Sequence, residues 1–295
     1  MSEAQSASDT VVEDTDYTAA TVRASTKGLQ TLVQETALTK GGGPIHDIVY
    51  MNVSDGQIQC LAGSHGNVVV SYTTWNEESM KQIGVTEQTE NNTPDGEKPT
   101  LEAVVDTQEF LNYLNIASDG GVVELDFIKE PQVRLAQALR ITGKLTSRVP
   151  LPGSDAVLEE VPLDLPTQVN DDNVLINPNS GEELPTHVSA GMQEMEKIVD
   201  AVDVHEDAEE DFFPVVVEDG TFSLNVGDAQ SQQIFGSFST GVEGPDFDNE
   251  YHTGFKELVN SLSGQVEIYS VDDGPLYVLQ DGNGSTVRHS IGNVS

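Results

Sequence analysis

Basic residues are scarce in this 295-residue chain, in which 13 Lys and Arg stand against 50 Asp and Glu for a formal net charge of −37. Counting charge alone would exclude a nucleic-acid binder, an inference that does not hold in concentrated salt, where repulsion is screened within about 3 Å at 1 M. Cysteine is nearly absent too: Cys60 stands alone, which excludes an internal disulfide framework and a Cys-based structural zinc site. No stretch approaches the roughly 18 consecutive apolar residues of a membrane span. Met1 to Asp16 is polar and acidic, unlike a secretory signal or an Arg-rich transit peptide. Together these absences predict a soluble cytoplasmic protein with no membrane association.

What is present is enough to fold. The chain is 37% apolar with a mean hydropathy of −0.30, too hydrophobic for general disorder and long enough for a sizeable core. A pI near 4.1 in a chain with good strand and helix patterns points to a salt-rich cytoplasm, that of a halophilic archaeon or of such a host if the gene is viral. The alternative is an acidic protein that binds cationic partners. The charge is uneven: residues 1–150 hold 10 basic and 21 acidic residues, whereas 151–295 hold 29 acidic residues and only Lys197, Lys256 and Arg288 as bases.

Periodicity predicts an acidic disordered leader over 1–16 and a strand over Tyr17–Ala24. A helix capped by Ser25 follows, with Leu29, Leu32, Val33 and Ala37 on one face. Strands are expected at Asp47–Val53 and Gln57–Ala62 around a Ser54-Asp55-Gly56 turn, then at Asn67–Trp75. Residues 78–99 read as a loop. Strand Glu102–Val105 leads to Asp106, which forms a capping box with Glu109, and the helix there buries Phe110, Leu111 and Leu114. Strands Val122–Ile128, Val133–Ile141 and Lys144–Leu151 complete the half, and the proline-containing segment 150–185 reads as a connector.

The order then repeats. Thr186–Ser189 precedes a helix with Met192, Met195, Val199 and Val202 on one face. Strands Phe212–Val217, Thr221–Val226 and Gln233–Ser239 follow. Tyr251, Phe255, Leu258, Val259 and Leu262 mark a second amphipathic helix, and strands Gln265–Ser270, Leu276–Gln280 and Thr286–Ile291 close the chain. The expected class is α+β, with a duplicated fold in which each half sets two helices against antiparallel sheets. The divisions are 17–150 and 186–295, with 151–185 between them.

Catalytic signals are weak. Gly63-Ser64-His65-Gly66 lacks the Gly-x-Ser-x-Gly of a nucleophile elbow. Gly41-Gly42-Gly43 follows a helix and has no downstream Gly-Lys-Ser/Thr, so it is a helix stop. His205-Glu206-Asp207 with Glu209, Glu210 and Asp211 lacks the spacing of a calcium loop and reads as a solvated acidic face. No enzyme activity, cofactor or metal is expected. Lysine is more informative: Lys27, Lys197 and Lys256 each fall on the polar side of a predicted helix. Ordinary helix solubility accounts for this; so would a set of helices that face a polyanion.

The segment Asp47–Ala62, followed by Asn67-Val-Val-Val70, resembles the first hairpin of PCNA, the archaeal and eukaryotic DNA polymerase sliding clamp. Val105–Leu114 is similar to that family's second helix. Phe255–Leu262, with Gln265–Tyr269, Pro275–Val278 and Val287-Arg288, is similar to its final helix and closing strands. The order of these segments over residues 17–292 carries the resemblance. It implies a processivity factor: a homotrimeric ring that encircles duplex DNA without sequence preference, is placed there by a clamp loader, and tethers DNA polymerase and other clamp-binding proteins. Lys27, Lys197 and Lys256 would face DNA. Strand residues Lys144, Leu145 and Val149 of one copy would pair with Thr221, Phe222, Leu224 and Val226 of the next. Leu61, Ala62, Val68, Leu163, Leu165 and Ile291 would line a groove for partner peptides. The other reading is a β-rich viral or surface structural protein of a halophile, supported by the Thr/Val/Gly-rich strands and acidic surface. A hydrolase would need an arrangement of carboxylates that the sequence does not supply.

Overall fold

The computed structural model describes residues 18–39, 44, 46–54, 56–63, 69–76, 82–85, 100–117, 121–130, 133–152, 168–169, 175–176, 181–191, 212–226, 233–239, 242–252, 258, 265–281 and 285–291. In chain order the elements are β1 (Thr18–Ser25), α1 (Thr26–Ala37), β2 (Ile48–Ser54), β3 (Gln57–Gly63), β4 (Val69–Asn76), β5 (Gln82–Val85) and β6 (Thr100–Asp106). Next come α2 (Thr107–Ala117), β7 (Val122–Ile128), β8 (Ala138–Thr142), β9 (Thr146–Pro150), β10 (Gln168–Val169), β11 (Leu175–Ile176) and β12 (Thr186–Gly191). The last are β13 (Phe212–Glu218), β14 (Thr221–Val226), β15 (Gln233–Ser239), β16 (Phe247–His252), β17 (Gln265–Ser270), β18 (Leu276–Asp281) and β19 (Ser285–Ile291). Among the described residues no helix is long and apolar enough to cross a membrane.

Local chemistry sets the helix starts. The Ser25 side chain accepts a hydrogen bond from the Gly28 N–H at 3.0 Å, satisfying a donor that the first turn leaves unpaired. Asp106 does the same for the Glu109 N–H at 2.7 Å. α1 ends at Leu38, which takes a left-handed conformation at φ 54° and returns its N–H to Gln34. In the β2–β3 hairpin the turn needs a positive φ, and Gly56 supplies it at 79°.

Among the described residues all strand pairing is antiparallel within four sheets, apart from one isolated parallel bridge between Glu102 and Leu135. The orders are β5-β1-β7-β8-β9, β10-β11, β12-β17-β18-β19-β4-β3-β2-β6 and β15-β14-β13-β16. Two orders occur twice. β1-β7-β8-β9 has the same succession as β12-β17-β18-β19, and β4-β3-β2-β6 the same as β15-β14-β13-β16. β19 and β4 join in a seven-pair ladder, from Ser285 opposite Trp75 to Ile291 opposite Val69. The eight-stranded sheet is therefore one sheet built from both parts of the chain.

α1 and α2 cover a core that two sheets share. Leu29, Leu32, Val33, Phe110, Leu111 and Leu114 pack on Val22, Leu125, Leu139 and Ile141 from one sheet, and on Val49, Met51, Ile58, Cys60 and Ala103 from the other. Each large side chain so buried contributes on the order of 1.5–3 kcal/mol.

Several expectations are corrected. The 78–99 segment contains β5, whose Gln82–Val85 pairs with β1 from Arg23 to Ala20; four residues among polar neighbours were too short to register as a strand. The strand expected from Val133 starts at Ala138. Before it, Leu135 bridges Glu102 and the Ala136 N–H donates to the Glu102 carbonyl, which covers the edge of β6. Tyr251 lies in β16 and not in a helix, because its hydroxyl joins Asn249, Ser270 and Gly274 in a buried network. Within the connector, β10 and β11 form a two-residue ladder. The predicted leader and the Met192–Val202 helix lie outside the described residues, as does most of the helix expected across Tyr251–Leu262, of which Leu258 is described and helical.

Two positions generate predictions. A methyl group added at Gly28 would stand 2.8 Å from Ser25 Oγ and 2.9 Å from the Trp75 ring. Helix propensity favours alanine by about 1 kcal/mol, but overpacking costs about 1–3 kcal/mol, so Gly28→Ala is expected to lower stability in denaturant titration. His46 is buried, its carbonyl accepting from Thr107 Oγ1. Desolvation holds its pKa at about 4, against a lesser upward pull from the Gly63 backbone. The unfolded chain therefore binds a proton below pH 6.5 that the folded chain refuses. Stability is full above pH 6.5 and falls by up to about 3 kcal/mol as pH drops to 4. His46→Leu is expected to flatten that part of the pH–stability curve.

Candidate nucleic-acid interface and partner groove

α1 and α2 lie side by side, with Gln30 Nε2 donating to Asn115 Oδ1 at 2.6 Å across the pair. The start of α1 is tied to the segment after α2, since both the backbone N–H and the hydroxyl of Thr26 bond to the Gly121 carbonyl at 2.9 Å. Their apolar stripes face the shared core, so their polar faces form one surface. Lys27 is exposed on it. A cation in the first turn of a helix opposes the helix dipole by a few tenths of a kcal/mol, so local helix stability does not explain its position. Lys197 and Lys256, the other two lysines expected on such a surface, lie outside the described residues.

The proposed joining strands have different surroundings. Among the described residues β9 ends its sheet and pairs only with β8. Lys144 and Leu145 are exposed in the turn before it, held by a 2.8 Å bond from the Lys144 N–H to the Ala117 carbonyl at the end of α2. Leu145 is 57% exposed, as is Ile116 near the same end of α2, while Val149 points into the core. β14 corrects the expectation for Thr221, Phe222, Leu224 and Val226. It is an interior strand, paired with β13 on one side and β15 on the other, and Phe222 is buried. With both rows of backbone groups occupied, β14 has nothing to offer a second copy. The edge of that sheet on this side is β15. Alternating residues identify a strand but do not say which neighbours it has.

On the face of the eight-stranded sheet opposite the helices, a cavity of about 260 Å³ is lined by Tyr50, Asn52, Gln59, Leu61, Tyr72, Glu102 and Arg134. Two of its lining residues, Tyr50 and Leu61, belong to a small apolar cluster with Val104 and Leu135. The Tyr50 hydroxyl donates to Glu102 Oε1 at 2.8 Å. Arg134 grips the same carboxylate with two nitrogens, Nη2 at 2.9 Å and Nε closer. Burial pushes the Glu102 carboxyl pKa up, but the hydrogen bonds from Arg134 and Tyr50 and the nearby cations outweigh it and the net shift is down. Burial, followed by the Glu102 contact, raises the Tyr50 phenol well above its ordinary value. The site is thus an aromatic and amide-lined hollow whose one ion pair is internally neutralised.

Of the expected groove residues, Leu61 lines this cavity. Ala62, next along β3, points the other way into the main core, because successive strand residues face opposite sides. Val68, Leu163 and Leu165 lie outside the described residues. Ile291 ends β19, paired between Leu276 and Val69. The connector is anchored further along the sheet, where Leu175 and Leu184 pack with Tyr269, Tyr277 and Leu279. Tyr50, Tyr72, Glu102 and Arg134 were not expected in the site. Tyr50 and Asn52 alternate with core residues Val49, Met51 and Val53, so their outward direction was readable; that Arg134 reaches Glu102 was not.

No protein-family model matches the sequence, and no curated protein does. Solved structures do resemble the chain. PCNA from Entamoeba histolytica superimposes with a TM-score of 0.64 at 12% identity, covering 95% of this chain and 100% of that one. A. fulgidus PCNA, in a structure with the C-terminal region of FEN-1 bound, gives 0.64 at 13% identity over 94% and 98%. PCNA from Thermococcus kodakaraensis gives 0.63 at 14% over 93% and 99%. At such identities the likeness speaks for the fold, and its near-complete coverage of both chains means that the whole architecture matches. This chain has the α+β fold of the PCNA-type sliding clamps.

Proposed function

We propose that the protein is a DNA sliding clamp: a non-enzymatic ring that encircles duplex DNA and tethers DNA polymerase and other replication proteins. One observation carries this reading. Inside the chain, β4 and β19 join two strand sets edge to edge. By the repeated pairing order, the counterpart of β19 is β9 and the counterpart of β4 is β15, and among the described residues each of these ends its sheet. A bare strand edge is a row of unpaired donors and acceptors that favours pairing with another chain. Pairing β9 of one copy with β15 of the next would repeat the internal junction, with Leu145 and Ile116 adding apolar contact. Such a joint is head-to-tail, and head-to-tail joints close into rings when the rotation permits. Three copies, as the resemblance implies, would give six equivalent junctions, with the halves 17–150 and 186–295 alternating around the ring.

α1 and α2 would then face the pore, with Lys27, and with Lys197 and Lys256 from the helices of the other half. A ring holds DNA by topology, so it tolerates an acidic composition and the weakening of phosphate contacts by salt. The working place would be the salt-rich cytoplasm of a halophile, cellular or viral, with a separate loader to open the ring. The cavity around Tyr50 and Tyr72 would receive a short peptide tail of a partner. A neighbour in fold binds the C-terminal region of FEN-1, which supports a partner of that kind here.

Light scattering in multimolar potassium chloride is expected to give three times the 31.7 kDa chain mass. A monomer at every concentration and salt would sink the assembly. Leu145→Asp is expected to weaken association about tenfold or more, since about 1.4 kcal/mol corresponds to one decade, while leaving the unfolding transition of the monomer within about 0.5 kcal/mol.

A further inference from the structure

The exposed face of α1 and α2 has an unusual composition for so acidic a chain. Twelve positions on these helices are not buried, and five of them are amides: Gln30, Gln34, Gln108, Asn112 and Asn115. Against them stand one cation, Lys27, and two carboxylates, Glu35 and Glu109, so the face carries a formal charge of only −1 in a chain of −37. Four of the amides are held in place by one another. Gln30 bonds to Asn115 at 2.6 Å between the helices, and Gln108 Nε2 donates to Asn112 Oδ1 at 3.2 Å along α2. These helices also include no basic residue other than Lys27.

We propose, resting on the clamp reading above, that this face is an amide-rich track of low net charge whose amides contact the DNA backbone by neutral hydrogen bonds, with Lys27 as its one cationic contact. A side-chain amide offers two N–H donors to phosphate oxygens or to the waters around them, and an acceptor for those waters. An ion pair to phosphate gains from releasing condensed counterions, and that gain shrinks as salt rises, with a slope of about −0.9 in log K per phosphate neutralised. A neutral amide releases no counterion, so its contribution persists at salt concentrations where lysine contacts have faded. Such contacts are weak and equivalent from one phosphate to the next, which suits movement along the duplex. Carboxylates beyond Glu35 and Glu109 on this face would add repulsion from DNA; further lysines there would gain little in concentrated salt. Amides are the remaining polar choice.

The test uses the full chain and a fluorescein-labelled 40-base-pair duplex, with binding followed by anisotropy at 0.5 M and 3 M potassium chloride. The variants are Lys27→Gln and the triple substitution Gln34→Ala, Gln108→Ala, Asn112→Ala. All four positions are exposed, and far-UV circular dichroism checks that the helices are intact. The triple variant is expected to bind about fivefold more weakly at both salt concentrations. Lys27→Gln is expected to bind more weakly only at 0.5 M, with the salt slope shallower by about 0.9 per lost contact. A triple variant that matches the parent, a loss confined to low salt, or no measurable binding by the parent at either salt would each overturn the amide track. Retention on closed circular against linear duplex is measured alongside. Retention on the circle with any of those overturning results leaves the clamp reading standing; equal loss from circle and line removes the clamp reading itself.

Discussion

Backbone pairing between β4 and β19 is the interaction on which the rest of the structure depends. It fuses four strands from each part of the chain into one eight-stranded sheet. That sheet backs α1 and α2 on one side and carries the Tyr50 cavity on the other. Sheet edges elsewhere are mostly closed: β5 covers β1, residues 135–136 cover β6, and Glu243 bridges His187 on β12 with two backbone hydrogen bonds of 2.8 and 2.9 Å. Among the described residues β5 and β9 end one sheet and β15 and β16 another; of these, β9 and β15 are the counterparts of the pair that joins inside. One backbone geometry would thus serve within the chain and between copies, a natural outcome when a fold is built twice.

The second constraint is charge. A chain at −37 gains nothing from bringing its carboxylates together, yet its helices pack closely and bury Phe110, Leu114 and Leu32 beneath them. The polar faces above that core carry five amides, one lysine and two carboxylates, Glu35 and Glu109, which keeps like-charge repulsion between the two helices small. On the other side of the sheet, the Glu102 carboxylate survives partial burial because Arg134 and Tyr50 both donate to it. Breaking that arrangement from the Arg134 side would leave a half-buried charge with a single donor, and this is the costlier way to lose an ion pair. The two faces of the sheet therefore solve the same problem differently: one keeps its net charge low and the other pairs its charges.

Much of this was legible in the chain. Ser25 and Asp106 announce helix starts by side-chain chemistry that acts within three residues, and both cap as expected. The hairpin around Gly56 follows from the need for a positive φ, and the alternation of Val49, Met51 and Val53 with Tyr50 and Asn52 fixes which side of β2 faces the core. The order of these segments was enough to point to the clamp fold, although no one stretch would have done so. Tyr251 was misplaced in a helix because its i, i+4 spacing to Phe255 satisfies a helical template, whereas the buried hydroxyl network that holds it in a strand involves residues near 270.

The sequence by itself determined the local elements, the in-or-out direction of most side chains, and the low net charge of the faces of α1 and α2, because each depends on neighbours within a turn or a strand. Only the tertiary structure decided which strands are edges. β14 and β9 both alternate, yet β14 is flanked on both sides and β9 on one. It also decided that Arg134 meets Glu102 across 32 residues and that Leu61 and Ala62 belong to different sides of one sheet. Edge status and long-range pairing are set by what the rest of the chain brings alongside, and backbone hydrogen bonds, which every residue type but proline can donate, leave no mark on composition or period.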